Sequence, residues 1–175
     1  MFELIRADLK RLQHPCSSSL RTLAAGLGSQ GLQAVLVYRF FSWLDRQRIP
    51  SQPLRFFCER FIEVTTGISI PAACRIGKGF RIHHFGGIFF HPTVVLGENC
   101  TIYQGVTIGD RGGSGRAAVI GDHVLIGAGA KIIGEITIGD RCIIGANSVV
   151  TRDLPAGTTA LGAKCRVKLP DGRIE

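Results

Sequence analysis

At 175 residues, with 45% hydrophobic and 19% charged residues, the chain can bury a core and is too apolar to be disordered. Its net charge of +8 is spread evenly: nine basic against five acidic residues up to Ser69, twelve against eight beyond it. There is no dense basic block, and every aromatic residue except Tyr103 lies before residue 91. That excludes a stacking platform for nucleic acid and suits a surface that meets anionic small molecules or headgroups.

The first 66 residues read as helical. Phe2, Leu4, Ile5, Leu9 and Leu12 recur at helical spacing, and His14-Pro15 ends that segment. A second helix is predicted over Gln30–Arg46 and a third over Leu54–Thr65, with Pro50 and Pro53 between them. In the third, Leu54, Phe57, Cys58, Phe61 and Ile62 share one face. The aromatic stretch Val35–Leu44, followed by Arg46, Arg48, Arg55 and Arg60, has the composition of a peripheral membrane contact. No apolar run reaches 18 residues, and the N-terminus carries Glu3 and Asp8 where a leader would be apolar. The expectation is a cytoplasmic protein, with the inner face of a membrane as an alternative.

From Ile68 the period changes to six. Leu96, Ile102, Ile108, Ile120, Ile126, Ile132, Ile138, Ile144 and Val150 are spaced by six or twelve, and Ile70, Ile76 and Ile82 keep that spacing upstream. Glycine follows at 97, 109, 121, 127, 139 and 145, where it is expected to turn tight corners with positive φ. Small residues, among them Cys74, Cys100 and Cys142, stand four places after the aliphatics. A six-residue unit cannot bury an aliphatic side chain alone. Three units form a triangular coil, and coils stack at strand spacing, roughly 4.8 Å. The prediction is a left-handed parallel β-helix over 68–153, preceded by a helical segment over 1–67 and followed by a cap and tail over 154–175. The cysteines are then packing residues rather than ligands or disulfide partners.

Two places break the period. Between Ile82 and Phe90 the step is eight, and the stretch reads His83-His84-Phe85-Gly86-Gly87. Between Ile108 and Ile120, Ser114 stands where an aliphatic is expected, inside the polar loop Asp110–Arg116. Breaks in a regular solenoid mark candidate functional positions.

The motifs Ile76-Gly77-Lys78-Gly79, His83-His84 with Gly87-Ile88, Gln104–Gly109, Ile126–Ile132 and Ile144–Val150 are collinear over about 100 residues. Residues 68–167 resemble the serine acetyltransferase family of hexapeptide-repeat acyltransferases. The His-His-Phe-Gly-Gly-Ile version is most similar to its exopolysaccharide (colanic-acid-type) O-acetyltransferase branch. The resemblance implies direct transfer of acetyl from acetyl-CoA to an acceptor hydroxyl. His84 matches the catalytic histidine, and an imidazole suits removal of a hydroxyl proton at neutral pH. The resemblance places Gly109, Ala128 and Ala146 along the pantetheine arm, and Thr151, Arg152 and Arg166 near the end of the cofactor. It also implies a homotrimer with acetyl-CoA between two prisms, and no metal.

The acceptor positions depart from the family pattern. Ser69 and His83 stand where acids are expected, and Arg116-Ala117 replaces an Arg-His pair. Ser69, His83 and Arg116 are therefore the acceptor-binding candidates. The expectation is a glycan or small-molecule acceptor, a sugar of exopolysaccharide biosynthesis, with L-serine as the alternative. A zinc enzyme of the γ-carbonic-anhydrase type needs histidines five apart, whereas His84 and His91 are seven apart and His123 stands alone. A non-catalytic scaffold is the third class.

Overall fold

A computed structural model describes residues 1–11, 28–112 and 115–162. Among the described residues, three helices, α1 (Phe2–Lys10), α2 (Gln30–Arg46) and α3 (Leu54–Thr66), precede fourteen strands of two or three residues each. The strands β1 (Ile68–Ser69), β2 (Arg75–Ile76), β3 (Arg81–Ile82), β4 (Ile88–Phe90), β5 (Val95–Leu96), β6 (Thr101–Ile102), β7 (Thr107–Gly109), β8 (Val119–Ile120), β9 (Leu125–Ile126), β10 (Lys131–Ile133), β11 (Thr137–Ile138), β12 (Ile143–Ile144), β13 (Val149–Val150) and β14 (Thr159–Ala160) form three parallel sheets. The first sheet is ordered β1-β4-β7-β10-β13, the second β11-β8-β5-β2, and the third β14-β12-β9-β6-β3. Up to β13 each sheet takes every third strand, which is the signature of a triangular β-solenoid; β14 then joins β12 two strands on.

The aliphatic column is the core. Ile82, Ile102, Ile126 and Ile144 stack in register on the third sheet, and Ile108 lies between Phe90 and Ile132 on the first. All are buried. Each such side chain contributes about 1.5–3 kcal/mol by leaving water. Cys74, Cys100 and Cys142 are buried among them as free thiols. Burial pushes Cys74 up to about 12 and Cys100 up to about 11, so neither is a nucleophile at neutral pH.

The glycines after the aliphatics serve a different purpose from the one expected. Positive φ falls elsewhere, at corner positions such as Gly79 (72°) and Asn99 (57°). Gly77 and Gly97 are required because a Cβ there would lie 2.6 Å from the backbone of the next coil. The close approach of stacked coils, rather than the turn, selects glycine at these positions.

The helices close the upper end of the solenoid, where the first coil has no coil above it. Tyr38 Oη donates to Cys74 O (2.9 Å) and accepts from Ile76 N (3.1 Å). Arg39 donates to Ile76 O and Gly77 O, both at 2.6 Å. Asp8 accepts from Phe80 N (2.8 Å) and from Arg39 Nε (2.9 Å). Side chains thus satisfy backbone groups that a further coil would otherwise pair. At the other end, β14 pairs with β12 and Leu154 bridges Ile138, which adds a shortened last turn.

Two faces differ from the sequence expectation. In the stretch Val35–Leu44, Val35, Tyr38 and Phe41 are buried and pack inward, while Phe40 is 41% exposed. No helix among the described residues is long and apolar enough to cross a membrane. On α3, Ile62 packs against the core and Cys58 is half-buried, but Leu54, Phe57 and Phe61 are exposed. The shared apolar face therefore does not cover the solenoid as a unit.

Asp8 and Arg39 are 1% and 3% exposed. Burial raises the Asp8 carboxyl, while Arg39 and the Phe80 N–H pull it back down. Asp8→Ala would leave the Arg39 charge buried without its anion. Denaturant unfolding is expected to show a loss of about 3–5 kcal/mol; a change below about 1 kcal/mol would contradict this role.

Candidate functional site

The ladder locates the inserted residues. Ile82 pairs with Ile102, and His83 N donates to Ile102 O (2.9 Å). The ladder resumes where Gly105 N donates to Gly86 O (2.8 Å), and Phe89 and Phe90 pair with Thr107 and Ile108. The backbone of His84 and Phe85 makes no hydrogen bond to the coil below. These two residues are extruded at the corner between the third and first sheets, with both side chains exposed.

Each neighbour of the turn is positioned by a contact. The His83 ring stacks on Tyr103, with centroids 4.7 Å apart and planes 6° from parallel. The His84 ring lies 5.1 Å from His83 and 6.2 Å from Tyr103, tilted against both. The His83 imidazole is held below its ordinary pKa by partial desolvation, then by the charge of Arg81 and of His84. His83 is therefore predominantly neutral at pH 7. Among the described residues the His84 nitrogens make no hydrogen bond, so its ring is free to take a proton from an acceptor.

Behind the turn, Ile88 N donates to Gly67 O (3.0 Å). Gly67 ends α3 with φ 66°, and a Cβ on it would come within 3.1 Å of Gly86 Cα. This contact holds the end of α3 against the His84 turn. Gly86 N–H and Gly87 N–H make no hydrogen bond among the described residues, which leaves donors on the same turn.

The other candidates divide between two edges of the first sheet. Ala128 and Ala146 occupy the same corner as His84: Asn147 N donates to Ala128 O, and Gly129 N to Gln104 O, one coil apart. Gly109, Thr151 and Arg152 lie at the far edge, across about four residues of extended chain, roughly 13 Å. A Cβ on Gly109 would meet only Ile133 Cδ1, at 3.8 Å, so packing within the chain does not require glycine there. Space remains for a ligand to approach its backbone. Arg111 donates to Thr151 O (2.7 Å), and together with Arg152 they line an open cleft of about 480 Å³. Arg166 lies outside the described residues.

The loop also belongs to the far edge. Leu96 pairs with Ile120, a coil of 24 residues where Ile120 to Ile138 takes 18, so six residues leave the ladder between Gly109 and Ala118. Arg116 is within 2.9 Å of Glu135, and Ala117 is buried, with its N–H on Thr93 Oγ1. Within one protomer Arg116 does not join His83 and His84, as the sequence reading had grouped them. Ser69 is on the sheet face between the edges, and its hydroxyl donates to Glu63 Oε2 (3.4 Å). His84, His91 and His123 occupy three different corners, so one protomer does not bring them together as metal ligands. Among the described residues no three His, Cys, Asp or Glu side chains cluster in a metal-binding arrangement.

The chain is similar to known proteins over most of its length. Residues 117–152 match the bacterial transferase hexapeptide family (six repeats), and residues 93–111 match the hexapeptide repeat of succinyl-transferase. Serine acetyltransferase of Helicobacter pylori is 39% identical over 147 residues, covering 81% of this chain and 82% of that one. The serine acetyltransferase of Neisseria gonorrhoeae, solved in complex with serine, superposes with a TM-score of 0.77 at 34% identity, over 97% of this chain and 67% of that one. That of Brucella abortus, solved with coenzyme A, superposes with a TM-score of 0.81 at 30% identity, over 99% of this chain and 66% of that one. The chain belongs to the serine acetyltransferase family of hexapeptide-repeat transferases and is an acyltransferase.

Proposed function

We propose that the protein is an acetyl-CoA-dependent O-acetyltransferase in which His84 is the general base. The observation that carries this is the extrusion of His84 from the ladder, beside two glycine N–H groups with no partner among the described residues. The His84 imidazole takes the acceptor's hydroxyl proton as the oxygen attacks the thioester carbonyl. Gly86 N–H and Gly87 N–H face the developing oxyanion, and the imidazolium returns the proton to the departing CoA sulfur. Gly109, Ala128 and Ala146 supply backbone that a pantetheine arm can approach, and Arg152 supplies charge for its phosphates.

L-serine is the acceptor that the relatives support. They carry that name, and one was solved with serine bound. This support outweighs that for an exopolysaccharide sugar. A neutral sugar hydroxyl remains the second reading on a specific observation: Ser69 and the neutral His83 offer hydrogen bonds without charge, and Ala117 is buried.

His84→Ala is expected to lower kcat by about 10²–10⁴ while acetyl-CoA affinity stays within twofold. Thiol release from acetyl-CoA with L-serine, set against a panel of sugars and glycosides, ranks the acceptors. A residual rate within tenfold of wild type would contradict the base, and turnover of sugars only would replace serine by the second reading.

We further propose that the working unit is a trimer. The His84 edge and the Gly109–Arg152 edge lie on opposite sides of one sheet, and a groove between two copies joins one edge of each. Such head-to-tail contacts close on themselves when three prisms meet. Light scattering is expected to give three chains per particle; one chain per particle would contradict a shared groove.

A further inference from the structure

We propose that Lys131 is a positioning residue for the His84 turn: its ammonium pins the carbonyl of Gly105, the corner on which that turn rests. This rests on the acetyl-transfer reading above and holds for either acceptor. On β10 the buried Ile132 points inward, so the Lys131 side chain stands on the outer face of the first sheet. Its Nζ reaches up one coil and donates to Gly105 O (2.6 Å) and to Thr107 Oγ1 (3.0 Å).

The ammonium answers a need of this corner. Gly87, Gly105 and Gly129 stack there with φ of 65°, 73° and 72°, and none has a side chain to hold its place. Gly105 N–H is committed upward, to Gly86 O at 2.8 Å. Gly105 O lies outside the ladder, and no backbone N–H among the described residues donates to it. Lys131 supplies that donor. The outer column through this position reads Ser69, Phe89, Thr107, Lys131 and Val149 by register. Within it, only Lys131 combines a charge with the length to reach the coil above. A charged donor makes a shorter and stronger bond than a neutral one, which suits a corner where glycine leaves the backbone free. A lysine with no task extends into water, where its stem keeps its rotamers.

Contacts carry this restraint to the chemistry. Gly105 meets the His84 turn twice: through its bond to Gly86 O, and through its Cα, which a Cβ on Gly87 would approach to 3.3 Å. Two hydrogen bonds therefore separate Lys131 Nζ from Gly86. His84 and Phe85 have no ladder bonds of their own, so their place depends on the bonds at either end of the excursion. His83 N on Ile102 O fixes the entrance, and Gly105 N on Gly86 O fixes the exit. Lys131 secures the exit. Gly86 O and Gly87 N–H belong to one planar trans peptide, so the bond that holds the first also directs the second. Lys131 itself moves no proton.

The test compares Lys131→Met with the wild type in the full-length enzyme, using acetyl-CoA with L-serine, or with the most active sugar of the acceptor panel if serine is not turned over. Lys131→Met should lower kcat about 10–100-fold, the effect of a misplacement near 1 Å, while KM for acetyl-CoA stays within about twofold. Hydrogen exchange at Gly105 N–H should accelerate at least about tenfold, while exchange at Gly121 N–H, bonded to Ile138 O on the second sheet, stays unchanged. Lys131→Cys gives a second reading within one sample. Alkylation with 2-bromoethylamine rebuilds an ammonium side chain of lysine length and should raise kcat at least about fivefold, with no such gain in the wild type under the same treatment. A kcat for Lys131→Met within about twofold of wild type would overturn the proposal. So would a raised KM for acetyl-CoA at unchanged kcat, which would make Lys131 a cofactor contact. Equal acceleration of exchange at Gly105 and Gly121, or failure of both variants to fold, would reduce Lys131 to a stability element and overturn the proposal as well. Each of these outcomes, with an active wild type, leaves the acetyl-transfer reading standing. Absence of transfer by the wild type to every acceptor would overturn that reading and this inference with it.

Discussion

Everything in this protein follows from the stacking of coils. Each coil pairs its backbone with the next, each aliphatic residue rests on the one below, and glycines lie so close that a methyl group has no room. A residue added to such a ladder cannot be absorbed. It shifts every inward side chain or it leaves the prism. The chain adds residues twice between coils, two at His84-Phe85 and six in the loop after Gly109, and both times they leave. The rigid scaffold therefore presents its chemistry on excursions whose bases are fixed by the flanking hydrogen bonds.

The helices resolve the opposite difficulty, the exposed end of a repeating structure. Tyr38, Arg39 and Asp8 replace the missing coil with side-chain donors and acceptors. The same helices carry function to the site, because α3 ends at Gly67 against Gly86. Capping the solenoid and bracing the His84 turn are thus two results of one docking arrangement. Sheet geometry sets a further condition. A single strand length separates the histidine edge from the loop edge, so the two edges of one prism face away from each other.

Much of this was legible in the sequence. The period of six gave the register of Leu96 through Val150, the inward cysteines and the break before Phe90, since inward positions repeat without regard to distant contacts. The α2 boundaries Gln30 and Arg46 could be read from the apolar pattern. What depended on tertiary contact could not be read. The crowding at Gly77 and Gly97 comes from the neighbouring coil, eighteen or more residues away. The inward packing of Val35 and Phe41 and the exposure of Phe57 and Phe61 depend on where the helices dock. Motifs order residues along the chain and so group Arg116 with His83, whereas the prism sends Arg116 and the 84–87 corner to opposite edges of the first sheet. Glu63 carries no motif, and its meeting with Ser69 arises only when α3 folds back on β1.

The most direct test is to remove the extruded residues. Deleting His84 and Phe85 joins His83 to Gly86 and restores an eighteen-residue coil in which Gly86 and Gly87 follow His83 as Gln104 and Gly105 follow Tyr103. The account predicts a protein with unchanged far-ultraviolet circular dichroism, a melting temperature no lower than that of the wild type, and no detectable acetyl transfer. Loss of the fold would contradict the claim that the two residues lie outside the ladder, and retained transfer would contradict the claim that they carry the chemistry.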